Sequence, residues 1–419
     1  MSKRTGLILL LAFAALFLAL NQGAYRGYFQ DDEIDNLSWA PFLSPLDFAK
    51  GVLTPLLFPN NFRPVAHYYF HAVEEVAGLN FPVYVAVLQA FHILNVWLLW
   101  MIIRKLGAPP IAAAAACCFF GLHMALFDNF WKPMYIFDVL CATFCLTSLL
   151  LWEHNRWILS LVAFWLAYKC KELAVMLPLV LLLSQPRRWK QLIPFFAISL
   201  NFGLQGLLRT SNQSNDYTFH FTLDALRKTL PFYAGRVFLL PYLGFVLPVL
   251  ALLARNRRVW FGLAMMLIFF APLLFLPGRV FSAYCYLPFA GLAIALSGVS
   301  AAPLVLGLAL WMPMNLRELR VRQRETLARD ADIRTWMAAA QAFADSHEKV
   351  DAFVYSGAPA DFHAWGVEGA LKYFYSRPDL VVRWSEDPQA RELLATKRVG
   401  FIQWDAARQR ADIRVIAPR

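Results

Sequence analysis

The chain has 419 residues, of which 59% are hydrophobic and 16% charged, and its mean hydropathy is +0.48. Soluble domains average about 45–50% apolar and about 25% charged residues, so a set of water-soluble domains is excluded, as are disordered, collagenous and disulfide-scaffold classes. The net charge of +11 does not indicate nucleic acid: 17 basic and 15 acidic residues lie beyond residue 316 without forming a basic patch, and the other basic residues are dispersed through the apolar part.

In chain order, about eleven apolar runs are long enough, or nearly so, to cross a hydrocarbon layer of ~30 Å. They fall near residues 5–22, 83–103, 109–126, 134–152, 157–168, 173–185, 191–208, 232–254, 259–276, 281–299 and 301–316. The fifth and sixth are short and flank Lys169-Cys170-Lys171-Glu172, as a broken pair would. This predicts a polytopic α-helical membrane protein with about eleven transmembrane helices over 1–316.

Hydropathy collapses after Leu316. Residues 317–419 read as a small soluble α/β domain, with strands at Ala352–Ser356, Leu380–Trp384, Val399–Trp404 and Ile413–Ala417 and helices between them. Eleven basic residues (Lys3, Arg4, Arg104, Lys105, Arg156, Arg187, Arg188, Lys190, Arg255, Arg257 and Arg258) share one side with a single acid, Glu153. The excess of positive charge puts the N-terminus in the cytoplasm and, after eleven crossings, the C-terminal domain outside, as in a bacterial inner-membrane protein. Lys3-Arg4 before an apolar run and Asn21–Ala24 also have the layout of a signal peptide. An uncleaved anchor is preferred, because the loop that follows needs tethering at the membrane. The six cysteines lie in or beside apolar runs and read as small core residues.

The first outside loop, residues 23–82, is the longest in the membrane half and carries seven of its thirteen acids. Asp47–Phe58 and Phe62–Leu79 within it are amphipathic and read as interfacial helices. There are no repeats, P-loop, Gly-rich dinucleotide motif or metal-finger spacing. The chemistry therefore has to come from charged residues, which are costly in an apolar setting and usually mark a site.

Four groups qualify. Asp31-Asp32-Glu33, with Asp35, places like charges side by side after the first run, which can raise a pKa or hold a cation, or can simply be a solvated loop. Arg63, His67, His71 and Glu75 recur every four residues. Such a stripe is the polar face of an interfacial helix, although two His at this spacing can share a metal, and Arg63 can reach a phosphate. Asp128 and Lys132 have ion-pair spacing, while Asp138 sits inside an otherwise apolar helix. Lys171-Glu172 and Arg279, the latter ahead of Tyr284, Tyr286 and Pro288, form either a salt bridge to Glu172 or a phosphate clamp.

Together these motifs resemble the GT-C superfamily of integral-membrane glycosyltransferases, and most of all the branch of protein O-mannosyltransferases and aminoarabinose transferases. The resemblance covers roughly residues 1–300. It rests on the acidic motif of the first loop, the Arg-Pro helix after it, Lys171-Glu172-Leu173 with Pro178, and Arg279-x4-Tyr284-x-Tyr286-Leu287-Pro288. The stretch from Leu122 to Asn129 resembles that branch's His-Pro-x-x-x-Glu segment, but lacks the Pro and shifts the acid, Asp128, by one.

The resemblance implies a polyprenyl-phosphate-linked sugar donor in membrane lipid, a hydroxyl-bearing acceptor (protein, lipid or glycan), and a catalytic base at Asp31 or Asp32. Lys171, Arg279 and Arg63 then bind the donor phosphate, with Glu33, Asp128, Asp138, Glu172, Tyr284, Tyr286 and His67 in support. Asp31, Asp32 and Asp128 could hold a divalent ion such as Mg or Mn, although the resemblance does not imply a metal. A transporter or flippase would carry its charges near mid-bilayer, usually in paired inverted halves. Other lipid-linked polysaccharide enzymes usually have their large outside loop late in the chain.

Overall fold

The computed structural model describes residues 3–56, 62–209, 216–254, 256–346 and 348–418. Arg255, Phe58 and the side chains of Lys3 and Arg4, which the topology and loop-helix readings used, lie outside the described residues. Four helices are long and apolar enough to cross a membrane: Gly6–Arg26, Phe81–Lys105, Pro133–Glu153 and Arg257–Leu274. The pair Leu223–Phe238 and Leu243–Val249, bent by 83°, adds up to a fifth. Shorter apolar helices at Pro110–Gly121, Trp157–Tyr168, Glu172–Ser184 and Ser282–Leu296 fall on the third, fifth, sixth and tenth expected runs. Ile193–Arg209 falls on the seventh, and Ala301–Asp345 opens on the eleventh. Every expected run is thus largely helical, but among the described residues fewer than half are both long and apolar enough for a full span.

Local chemistry accounts for the breaks. The fifth and sixth helices are parted at Lys169–Lys171, as the polar tetrad there predicts. In the bent pair, Leu239 and Tyr242 both take φ of +61°. A Cβ on Gly244 would lie 2.5 Å from the Ala234 carbonyl oxygen, so only glycine permits this turn. Spans approach closely where small residues meet: a Cβ on Gly262 would stand 2.5 Å from the carbonyl oxygen of Gly291. Ser148 and Ser160 each give a hydroxyl to the other's carbonyl, at 2.8 and 2.9 Å, joining Pro133–Glu153 to Trp157–Tyr168.

The first loop holds helices Pro45–Leu53 and Pro64–Ala77, close to the two expected. It also holds one that was not: Asp31-Asp32-Glu33, read above as loop, is the first turn of the helix Asp31–Leu37. The Glu33 carboxylate accepts the Gln30 backbone N–H at 3.0 Å, half of a capping box, and acids in a first turn favour the positive end of a helix.

Nor is Leu316 a helix end. The helix Ala301–Asp345 runs through it for 45 residues. What changes there is polarity: Arg, Glu, Leu and Ala, all strong helix formers, carry the helix onward.

The C-terminal sheet matches its expected strands. β1 (Ala352–Ser356), β2 (Val381–Trp384), β3 (Val399–Asp405) and β4 (Arg410–Ile416) lie in the order β2-β1-β3-β4. β1 is parallel to β2 and β3, and β3 is antiparallel to β4. The helices Ala364–Phe374 and Pro388–Thr396 make the crossovers.

The compact units divide the chain differently from a cut at 316/317. One comprises Met1–Gln22, Phe48–Ala66 and Ala86–Arg320; the other comprises Gly23–Asp47, His67–Val85 and Val321–Arg419. Two stretches of the first long loop thus group with the C-terminal residues.

Candidate functional site

In the first unit, the break after Trp157–Tyr168 presents Lys171 and Glu172 to two different partners. Lys171 donates to both carboxylate oxygens of Asp138, at 2.6 and 2.7 Å, and its Nζ lies 4.5 Å from the centre of the Tyr284 ring. Glu172 is gripped by Arg63 through two parallel bonds, Nε to Oε1 at 2.8 Å and Nη2 to Oε2 at 3.1 Å. That fork geometry is one that Arg can make and Lys cannot. The Arg63 guanidinium also stands 5.4 Å from the Phe137 ring.

Arg279 lies over Tyr217, at 4.5 Å, and Phe281, at 4.9 Å. Tyr217 interacts electrostatically with Arg63 in turn, and the fields of Arg63, Lys171, Asp138 and Glu172 overlap. Five of the residues singled out in the sequence, Arg63, Asp138, Lys171, Glu172 and Tyr284, thus form one charge cluster, with Arg279 joined to it through Tyr217. The salt bridge to Glu172 comes from Arg63, 109 positions away.

The other candidates in this unit make their hydrogen bonds and ion pairs with different partners. Asp128 pairs with Lys132 at 3.2 Å, the local i,i+4 pair its spacing suggested. Tyr286 points into the protein interior. His92 Nε2 donates to the Gly121 carbonyl at 3.0 Å, so its Nδ1 accepts the Tyr286 hydroxyl at 2.8 Å, and Asn95 donates to the same oxygen at 3.1 Å. The Tyr286 hydroxyl is thus held in a buried network, in which the Asn95 side-chain oxygen is left without a partner among the described residues.

In the second unit, Asp31 and Asp32 begin the helix Asp31–Leu37, which packs against Ala364–Phe374. The approach is close because the latter helix has glycine on the facing side: a Cβ on Gly366 would come within 2.4 Å of Asp31 Oδ1, and one on Gly369 within 3.1 Å of the Asp35 backbone. Asp31 Oδ1 accepts the backbone N–H of His363 at 2.8 Å, and Oδ2 meets the ring Nδ1 of the same residue at 2.5 Å. Burial pushes the Asp31 carboxyl above its usual pKa, against the opposing effect of the His363 contacts. Asp32 accepts the indole N–H of Trp365 at 3.1 Å, and the rings of Trp365 and His363 stack at 4.6 Å with 9° between their planes.

The stripe Arg63, His67, His71, Glu75 does not act as one polar face. His67 is buried, with its ring 4.6 Å from that of Trp39, while His71 bonds the Pro41 carbonyl at 3.2 Å and reaches Glu75 at 4.0 Å. No group of three or more His, Cys, Asp and Glu able to hold a metal ion exists among the described residues. Asp31, Asp32 and Asp128 instead contact His363, Trp365 and Lys132 respectively. Tyr217, His363 and Trp365 were not visible in the sequence as site residues. No spacing marks them, because their partners are distant in the chain.

No protein-family model and no curated protein matches the sequence. Solved structures do. ArnT from Cupriavidus metallidurans bound to undecaprenyl phosphate aligns with a TM-score of 0.54 at 14% identity, over 97% of this chain and 94% of that one. Its apo state gives 0.51 with the same identity and coverage. The arabinofuranosyltransferase AftD from Mycobacteria gives 0.52 at 16% identity, over 92% of this chain and 32% of that one. At this identity the likeness is one of fold alone, and it agrees with the GT-C-like fold expected from the sequence motifs.

Proposed function

We propose that this protein is an inverting glycosyltransferase that moves a sugar from a polyprenyl-phosphate donor to a hydroxyl group at the outer face of a bacterial inner membrane. The observation that carries the reading is the cluster of Lys171, Arg63, Asp138, Glu172 and Tyr284, within a chain of this fold. The structure of ArnT bound to undecaprenyl phosphate supports a lipid-phosphate donor.

The chemistry calls for such a set of charges. The leaving group of a phosphate-linked sugar is already a stable anion, so it needs cations and no general acid. As the bond to the anomeric carbon breaks, the phosphate gains a second negative charge. Lys171, Arg63 and Arg279 stabilise that developing charge more than the singly charged donor, and so lower the barrier. Asp138 and Glu172 hold Lys171 and Arg63 in position and balance their charge. One base then suffices to take the acceptor's proton, in contrast to the two carboxylates of a glycoside hydrolase. Asp31 or Asp32 serves that proton transfer, as the base itself or through a side chain it orients.

The test is transfer of radiolabelled sugar from a panel of undecaprenyl-phosphate hexoses and pentoses to membrane-fraction acceptors. Asp31→Asn or Asp32→Asn is expected to lower the rate by about 10²–10⁴-fold with the protein still folded. Full activity in both variants would remove the carboxylate base from the reading.

A further inference from the structure

Asp31 is poorly placed to take a proton directly. Both of its oxygens are engaged by one residue, His363, through the backbone N–H at 2.8 Å and the ring Nδ1 at 2.5 Å. Those are contacts that orient an imidazole. A proton on Nδ1 directed at a carboxylate leaves the lone pair of the neutral ring on Nε2. That side of the ring is open: the His363 side chain is 54% exposed, and no described residue hydrogen-bonds Nε2. The ring plane is fixed as well, by its stack on Trp365, which Asp32 holds through the indole N–H. Capping the helix Ala364–Phe374 would need only the His363 backbone N–H. The locked ring is additional to that.

We infer that His363 is the catalytic base, taking the acceptor's proton on Nε2, with Asp31 as the positioning residue that fixes its tautomer and Asp32 holding it through Trp365. This deepens the sugar-transfer reading and rests on it. In the step, the acceptor oxygen bonds to the anomeric carbon while its proton passes to Nε2. The bond from that carbon to the phosphate oxygen breaks, and its electron pair leaves with the polyprenyl phosphate. The imidazolium, paired with the Asp31 carboxylate, then gives its proton to solvent. The same arrangement of carboxylate, imidazole and hydroxyl activates an alcohol in hydrolases built on unrelated folds.

His363→Ala and His363→Asn test this in the full-length protein, using whichever undecaprenyl-phosphate sugar the wild type transfers. The Asn amide can still donate to Asp31 but cannot accept a proton, and both variants keep the backbone N–H that Asp31 binds. Both are expected to lose transfer by about 10²–10⁴-fold, with KM for the donor unchanged. Added imidazole is expected to restore activity to His363→Ala, which a merely structural role would not allow. Activity within about threefold of wild type in either variant overturns the assignment of His363 and leaves the transfer reading intact. Loss in both folded variants without imidazole rescue also overturns it, in favour of a structural contact. A wild type inactive on every donor of the panel overturns the transfer reading itself and the base with it.

Discussion

Lys171 and Asp138 meet at 2.6 Å with side chains 17% and 6% exposed, a setting in which neither charge can turn to water. Deleting one partner of such a pair leaves the other uncompensated, at about 3–5 kcal/mol, whereas replacing both with apolar residues is often nearly neutral. Asp138→Leu is therefore expected to lower the melting temperature of the detergent-solubilised protein sharply. Lys171→Met combined with Asp138→Leu should recover most of that loss while remaining inactive. Additive losses in the double variant would show that the two side chains are not coupled. At this scale the sequence is only half legible. Lys171, Glu172, Asp138 and Arg63 stand out because charges are rare in apolar surroundings. Who pairs with whom does not, since the partners are 33 and 109 positions apart and Asp31 lies 332 positions from His363. A lone histidine between Phe362 and Ala364 carries no signal of its own.

Among the elements, the pairing of Asp31–Leu37 with Ala364–Phe374 depends on what is missing from Gly366. Adding one methyl group there places it 2.4 Å from Asp31 Oδ1 and 2.6 Å from the Phe362 ring. Gly366→Ala should destabilise the second unit by about 1–3 kcal/mol and lower transfer through displacement of Asp31. Gly369→Ala, whose nearest neighbours are at 3.1 Å, should have the smaller effect in the same melting and activity measurements. An equal response from both would argue against close contact at Asp31. The strands of the C-terminal sheet were readable from short apolar runs bounded by polar turns. The helix Asp31–Leu37 was missed because three consecutive acids suggest a solvated loop. Gln30 and Glu33 do carry a helix-start signal, and it outweighs mutual repulsion once the acids sit at the positive end of a helix.

For the molecule as a whole, hydropathy was enough to find the apolar helices, because lipid imposes one pattern on every span, while the fold was legible in the order of the charged motifs. Unit membership was not readable, since residues 23–47 and 67–85 carry no mark that they fold with 321–419. The 45-residue helix Ala301–Asp345 is about 67 Å long at ~1.5 Å per residue, far more than a bilayer needs. The topology we propose puts its C-terminal end on the extracytoplasmic side of the membrane. Ala360→Cys tests this, since Ala360 is exposed and five of the six native cysteines are buried. A membrane-impermeant maleimide should label it in intact spheroplasts, and labelling only after lysis would invert the topology.

The hold of His363 on Asp31 has a consequence for any shortened version of the chain. A premature stop codon between residues 346 and 363 would leave every bilayer-crossing helix in place, yet Asp31 would lose both of its hydrogen-bond donors and the second unit most of its sheet. Such a product would be inserted but chemically silent.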